Sequence, residues 1–108
     1  MDCVLIDDDI LVQIAWKLAA KKAGKKLLIF SKPSDFLEVM ESFDPSLVIY
    51  IDSNLENDVR GEVIAREISR SGFRNLYLTT GYTASTFDHY PWIQGVVGKE
   101  PPWLDGVT

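Results

Sequence analysis

Residues 47–51 read Leu-Val-Ile-Tyr-Ile, an unbroken apolar run that Asp44-Pro45 precedes and the carboxylate of Asp52 follows. So short a run, apolar at both alternating positions and β-branched in part, fits a strand buried on both faces, as in a parallel sheet covered by helices. Periodicity alone would also allow a piece of buried helix, but length and the β-branched residues favour strand. In open α/β sheets, ligands bind in the crevice outside the carboxyl ends of the strands. Asp52 is therefore in the place where chemistry is expected, although a loop aspartate that merely caps the next turn would look the same in isolation.

A chain of 108 residues is expected to form a single domain, and 46% hydrophobic with 25% charged residues is the balance of a globular one. The net charge of −5 argues against nucleic-acid or anionic-membrane partners, which select a basic face. Lys21, Lys22, Lys25 and Lys26 form the one local basic cluster, which reads as a solvated helix end favouring the dipole. Cys3 is the only cysteine and lies inside an apolar run, so a buried thiol in the reducing cytoplasm is expected. No signal-peptide pattern and no apolar run of bilayer-spanning length occurs.

Residues 3–6, Cys-Val-Leu-Ile, predict a first strand that ends on Asp7, Asp8 and Asp9. One of the three acids is expected to cap the helix that follows, over 10–23, with Gly24 as its stop. That helix has one apolar stripe of Leu11, Ile14, Ala15 and Leu18, and a second of Val12, Trp16 and Ala20. A second strand is expected over 26–30. Ser31 then reads as the N-cap of a helix with Pro33 in its first turn and Phe36, Leu37, Met40 and Phe43 on its buried side. After the central strand comes a helix over 61–71, with Ile64, Ala65 and Ile68 inward and Glu62, Arg66 and Arg70 outward. A fourth strand over 75–79 ends on Thr79-Thr80-Gly81, residues 83–89 could hold a short helix, and a fifth strand over 95–98 ends on Lys99. Strand and helix thus alternate, which points to a doubly wound parallel sheet in the order 2-1-3-4-5 with helices on both faces.

The strand ends bring Asp7, Asp8, Asp52, Thr80 and Lys99 to one edge of that sheet. Carboxylates from adjacent strands repel unless a cation joins them, and an oxygen-only set suits Mg²⁺. A carboxylate beside Mg²⁺, a hydroxyl and a lysine is equipped to accept a phosphoryl group as a nucleophile. No residue is placed as a general base for water, since the single histidine, His89, reads as a surface residue before Pro91. Such a site receives phosphoryl and holds it; it is not an enzyme that turns over, beyond self-phosphorylation and slow autodephosphorylation.

These motifs resemble, from Asp2 to about Lys99, a response-regulator receiver domain. The resemblance implies an acidic pair at Asp7 and Asp8, a phosphoacceptor at Asp52 and a metal ligand through the backbone carbonyl of Asn54. It further implies a hydroxyl residue at Thr80, small Gly81 leaving room for the phosphoryl group, and the family's lysine at Lys99. The implied fold is flavodoxin-like, the cofactor Mg²⁺, and the partner a histidine kinase or a histidine phosphotransfer protein in a two-component phosphorelay.

The chain departs from the family pattern in four places. Glu100 stands where proline usually follows the lysine; Glu56 replaces the loop proline and Gly61 comes about one residue late; Val96 replaces the aromatic switch; and Pro101-Pro102 leaves no sequence for a fifth helix. A receiver with core 1–99 and a non-helical tail 100–108 is expected, either free-standing or cut from a hybrid sensor kinase. Two rivals remain. A haloacid-dehalogenase-type phosphohydrolase would want a second Asp where Asn54 stands, and a pseudo-receiver would bind a partner without phosphorylation. The absent fifth helix also predicts a homodimer, or docking to a parent protein, through an uncovered face centred on Trp16.

Overall fold

The computed structural model describes residues 1–53, 55, 60–80 and 91–103. Strands β1 (Cys3–Ile6), β2 (Leu27–Phe30), β3 (Val48–Asp52), β4 (Leu76–Thr79) and β5 (Gly95–Val97) form one sheet in the order β2-β1-β3-β4-β5. Every pairing is parallel. Helix α1 (Ile10–Ala23) follows β1, α2 (Pro33–Val39) follows β2 and runs on into a 3-10 turn over Met40–Ser42, and α3 (Gly61–Ser69) follows β3. This is the doubly wound topology expected from the alternation of apolar runs. The expected short helix over 83–89 and His89 lie outside the described residues, as do Leu104 and the rest of the tail.

Local chemistry sets the boundaries. The Asp9 carboxylate accepts the Leu11 N–H at 2.9 Å and starts α1. Gly24, at φ 69°, ends it in the left-handed conformation that glycine adopts without a Cβ penalty. At α2 the N-cap is Lys32 and no side chain caps it. Ser31, expected in that role, has its hydroxyl engaged by the Gln13 side chain at 3.0 Å, so a contact from α1 outcompetes a local one. Pro33 occupies the first helical position, where no N–H is needed. Before β3, the Asp44 carboxylate accepts from both Ser46 N–H and Ser46 hydroxyl, forming the turn that launches the central strand and holding its own pKa below the usual carboxylate value.

Strand alternation divides the sheet into two faces. Val4, Ile6, Ile49, Ile51, Leu76 and Leu78 join Phe36 of α2 and Ala65 and Ile68 of α3 in the main core. Phe36 meets Phe30, Phe43 and Phe73 in ring contacts of 5.4–6.3 Å. Ile64, Leu37, Met40 and Val96 pack at its margin. Glu62, expected on the outer side of α3, is buried; its Oε1 accepts from Arg60 Nε at 2.6 Å and its carbonyl accepts from the Trp92 indole. Arg66 stacks over Trp92 with its guanidinium 5.5 Å from the ring centre, instead of pairing with Glu62.

The opposite face carries Cys3, Leu5, Tyr50, Tyr77 and Thr79, and α1 covers it with the stripe that sequence periodicity made secondary. Trp16 is 0% exposed, and Gln13, Ala19 and Ala20 are buried with it. Leu11 and Leu18 of the first stripe are 74% and 59% exposed, and Ile10 and Ile14 are exposed too. Both stripes are apolar, so periodicity cannot choose between them. The small Ala19 and Ala20 let the helix approach the sheet, and in this rotation Trp16 and Gln13 each find a hydrogen-bond partner. The Trp16 face is therefore not open for association, because the protein's own tail closes it. The rings of Trp103 and Tyr50 lie 5.5 and 5.0 Å from that of Trp16. Tyr77 stacks on Tyr50 at 5.5 Å and lies across Gly95, where an added Cβ would meet its ring at 3.3 Å.

Candidate functional site

The three consecutive acids after β1 are sorted into different jobs by the turn they occupy. Asp7 still belongs to the strand edge: its N–H bonds the Phe30 carbonyl at 3.1 Å and its side chain is fully buried. One carboxylate oxygen of Asp7 accepts the Asp9 N–H at 2.9 Å, and the other faces Lys99 Nζ at 3.1 Å. Asp8 is half-buried beside it, and Asp9 is the helix cap. Gln13, one turn into α1, donates to the Asp7 carbonyl at 2.6 Å. This glutamine locks the loop between β1 and α1.

Asp52 ends β3 with its side chain buried, and Lys99 Nζ donates to its carboxylate as well as to Asp7. The ladder sets Thr79 beside Asp52, and Thr80, the next residue, is buried with its N–H on the Val97 carbonyl at 3.0 Å. Gly61 is needed where α3 begins, because a Cβ there would overlap the Asp52 carbonyl. Asn54 and Gly81 lie outside the described residues. The structure therefore brings Asp7, Asp8, Asp52 and Lys99 together, with Thr80 at the same strand edge.

The electrostatics are those of a site short of positive charge. Burial pushes the Asp7 carboxyl above its usual value; the Asp9 N–H opposes this, the Asp52 charge adds to it, and Lys99 only partly offsets it. An acid raised in the folded state holds its proton more tightly there than in the unfolded chain. Asp7 ionisation therefore removes stability as pH rises from the usual carboxylate value through the raised one. One oxygen each of Asp7, Asp8 and Asp52 lies within 4.8 Å of the others. An all-oxygen, mostly buried carboxylate set with an ammonium already inserted between two members fits a small hard dication such as Mg²⁺.

Comparison with solved structures agrees with the topology. A response regulator receiver domain protein (CheY-like) from Methanospirillum hungatei JF-1 superposes with a TM-score of 0.71 at 17% identity, over 91% of this chain and 81% of that one. The fold is that of a CheY-like receiver domain. An uncharacterized protein from Neptuniibacter caesariensis superposes with a TM-score of 0.75 at 21% identity, over 91% of this chain and 75% of that one. No family model and no curated protein matches the sequence.

Gln13 and Trp16 support the site through contacts distant in sequence. Gln13 was invisible because a glutamine inside an apolar helix pattern signals nothing until its partner, a carbonyl six residues earlier, is known. Trp16, expected at the centre of a face covered by a partner, is buried within the chain, and its indole Nε1 donates to the Lys99 carbonyl at 2.9 Å across 83 positions of sequence. No local pattern could report that bond.

Proposed function

We propose that the protein is a phosphoacceptor receiver in two-component signalling, taking phosphoryl from a phosphohistidine onto Asp52. The observation that supports this best is the convergence of Asp7, Asp8 and Asp52 with Lys99 at the carboxyl edge of a 2-1-3-4-5 sheet. In the transfer, a carboxylate oxygen of Asp52 forms a bond to phosphorus while the bond from phosphorus to the imidazole nitrogen breaks. The nitrogen keeps the electron pair and is protonated from solvent. Asp7, Asp8, Asp52 and the Asn54 carbonyl would hold Mg²⁺, which when bound supplies charge against the phosphoryl oxygens. Lys99 leaves the Asp7 and Asp52 carboxylates to pair with a phosphoryl oxygen, and the Thr80 hydroxyl adds a hydrogen bond.

The histidine would be offered by a histidine kinase or phosphotransfer protein. Ile10, Leu11, Ile14 and Leu18 form an exposed apolar stripe that starts at the acidic loop, which is where such a partner would rest. No helix among the described residues is long and apolar enough to cross a membrane, and the buried free thiol of Cys3 suits the cytoplasm. Incubation with acetyl phosphate tests the reading. Labelling that requires Mg²⁺, is labile to base and disappears in Asp52→Asn is expected. Absence of labelling in the native protein would instead leave a pseudo-receiver that works by contact alone.

A further inference from the structure

Lys99 lies two residues beyond the end of β5, an edge strand of only three residues. Among the described residues, the last rung between β4 and β5 is the Thr80 N–H on the Val97 carbonyl at 3.0 Å, two residues short of Lys99. Its ammonium nevertheless sits between two buried carboxylates, at the end of a flexible four-carbon stem. Something must fix the backbone from which that stem departs. The Trp16 indole does so, donating to the Lys99 carbonyl at 2.9 Å from a ring that is wholly buried. Trp16 is itself held by edge contacts with the rings of Tyr50 and Trp103, and Pro101, between Lys99 and Trp103 in sequence, is buried. Gln13, one turn before Trp16 on the buried side of α1, bonds the Asp7 carbonyl. One face of one helix thereby grips both partners of an ion pair in the site.

We infer that Trp16 is a positioning residue for Lys99: its indole N–H fixes the Lys99 backbone so that the ammonium meets Asp7 and Asp52, and Trp103 closes the clamp. The inference rests on the phosphoacceptor reading only for the role that it gives Lys99. It differs from a purely packing role, because a tryptophan that only fills space would work equally well without its N–H.

Replacing Trp16 by benzothienylalanine, which keeps the shape of the ring and exchanges the N–H for sulfur, separates the two. Trp16→Phe is the simpler variant, with urea denaturation to show that each protein folds. Affinity for Mg²⁺ alone reads the carboxylates, and affinity for beryllofluoride with Mg²⁺ reads the carboxylates and Lys99 together. Loss of one hydrogen bond at a positioning contact should weaken beryllofluoride binding about threefold to tenfold and leave Mg²⁺ binding unchanged. In a Lys99→Met background the same replacement should have no effect on beryllofluoride. A loss that persists in Lys99→Met, a parallel loss of Mg²⁺ affinity, or no loss at all overturns the inference. If the native protein binds no beryllofluoride, the phosphoacceptor reading fails by itself. The clamp is then decided by the Lys99 ammonium resonance in ¹⁵N NMR: protection from exchange that is lost with the indole N–H upholds it, and an unchanged signal overturns it.

Discussion

On the side of the sheet that α2 and α3 cover, Val4, Ile6, Ile49, Ile51, Leu76 and Leu78 meet Phe36, Ala65 and Ile68 in an aliphatic and aromatic cluster, with buried Glu62 of α3 held by Arg60. On the side that α1 covers, which carries Cys3 and Thr79, Trp16 meets Tyr50 and Trp103, Tyr77 stacks on Tyr50, and Tyr50 and Tyr77 remain half-buried. Burial there pushes the Cys3 thiol up to about 11 and raises the Tyr50 phenol as well. The first face is stabilised by close-packed aliphatic and phenylalanine side chains. The second is closed by a few large rings, each carrying a polar group, and the acid cluster stands at its upper edge. Close aliphatic packing and the acid cluster thus belong to opposite sides of one sheet.

The largest expected difference between the faces is in truncation. Phe36→Ala should destabilise the protein by about 3–5 kcal/mol, measured by urea denaturation, because its fully buried ring contacts three others. Tyr77→Ala, a similar cut on a half-buried ring, should cost clearly less. Equal costs would show that the α1 side is as tightly closed as the other and end the contrast.

The next effect is a pH dependence confined to the α1 side. Between the ordinary thiol value of 9.0 and the folded value of about 11, the unfolded chain releases the Cys3 proton while the folded protein keeps it. Stability should fall across that window by about 2–3 kcal/mol. Cys3→Ala should flatten this part of the alkaline unfolding curve. The same slope in both proteins would assign it to Tyr50 or elsewhere.

Where α3 leaves the loop after β3, Gly61→Ala would drive a Cβ into the Asp52 carbonyl and require the backbone to shift. A cost of roughly 1–3 kcal/mol, typical of overpacking, is expected, together with weaker Mg²⁺ binding because Asp52 moves. A neutral Gly61→Ala would mean that the loop yields freely and does not position Asp52. The smallest effect on stability belongs to the outer side of α1. Leu11→Gln and Leu18→Gln should change stability by less than about 0.5 kcal/mol, since both side chains already face water. Transfer from a phosphohistidine donor should nevertheless slow, with acetyl-phosphate labelling unaffected. A rate from the phosphohistidine donor unchanged from the native protein would remove this stripe from the proposed docking surface.

Much of the architecture was legible in the sequence because it rests on local chemistry. Short apolar runs with β-branched residues gave five strands to within a residue or two, and Asp9, Gly24 and Pro33 occupy the capping and first-turn positions their chemistry favours. The convergence of Asp7, Asp8 and Asp52 followed from the topology, since parallel strands place their carboxyl ends at one edge, whereas Lys99 lies two residues past β5. Tertiary structure decided what depends on partners distant in sequence. It chose which of two apolar stripes on α1 faces the sheet, drew Glu62 inward to Arg60 and Trp92, and took Ser31 from its cap to meet Gln13. Trp16 illustrates the physical reason best. The periodicity of a helix fixes which side chains share a face, but the rotation of that helix is settled by where a buried indole N–H can find an acceptor, and here the acceptor is the Lys99 carbonyl at the far end of the chain.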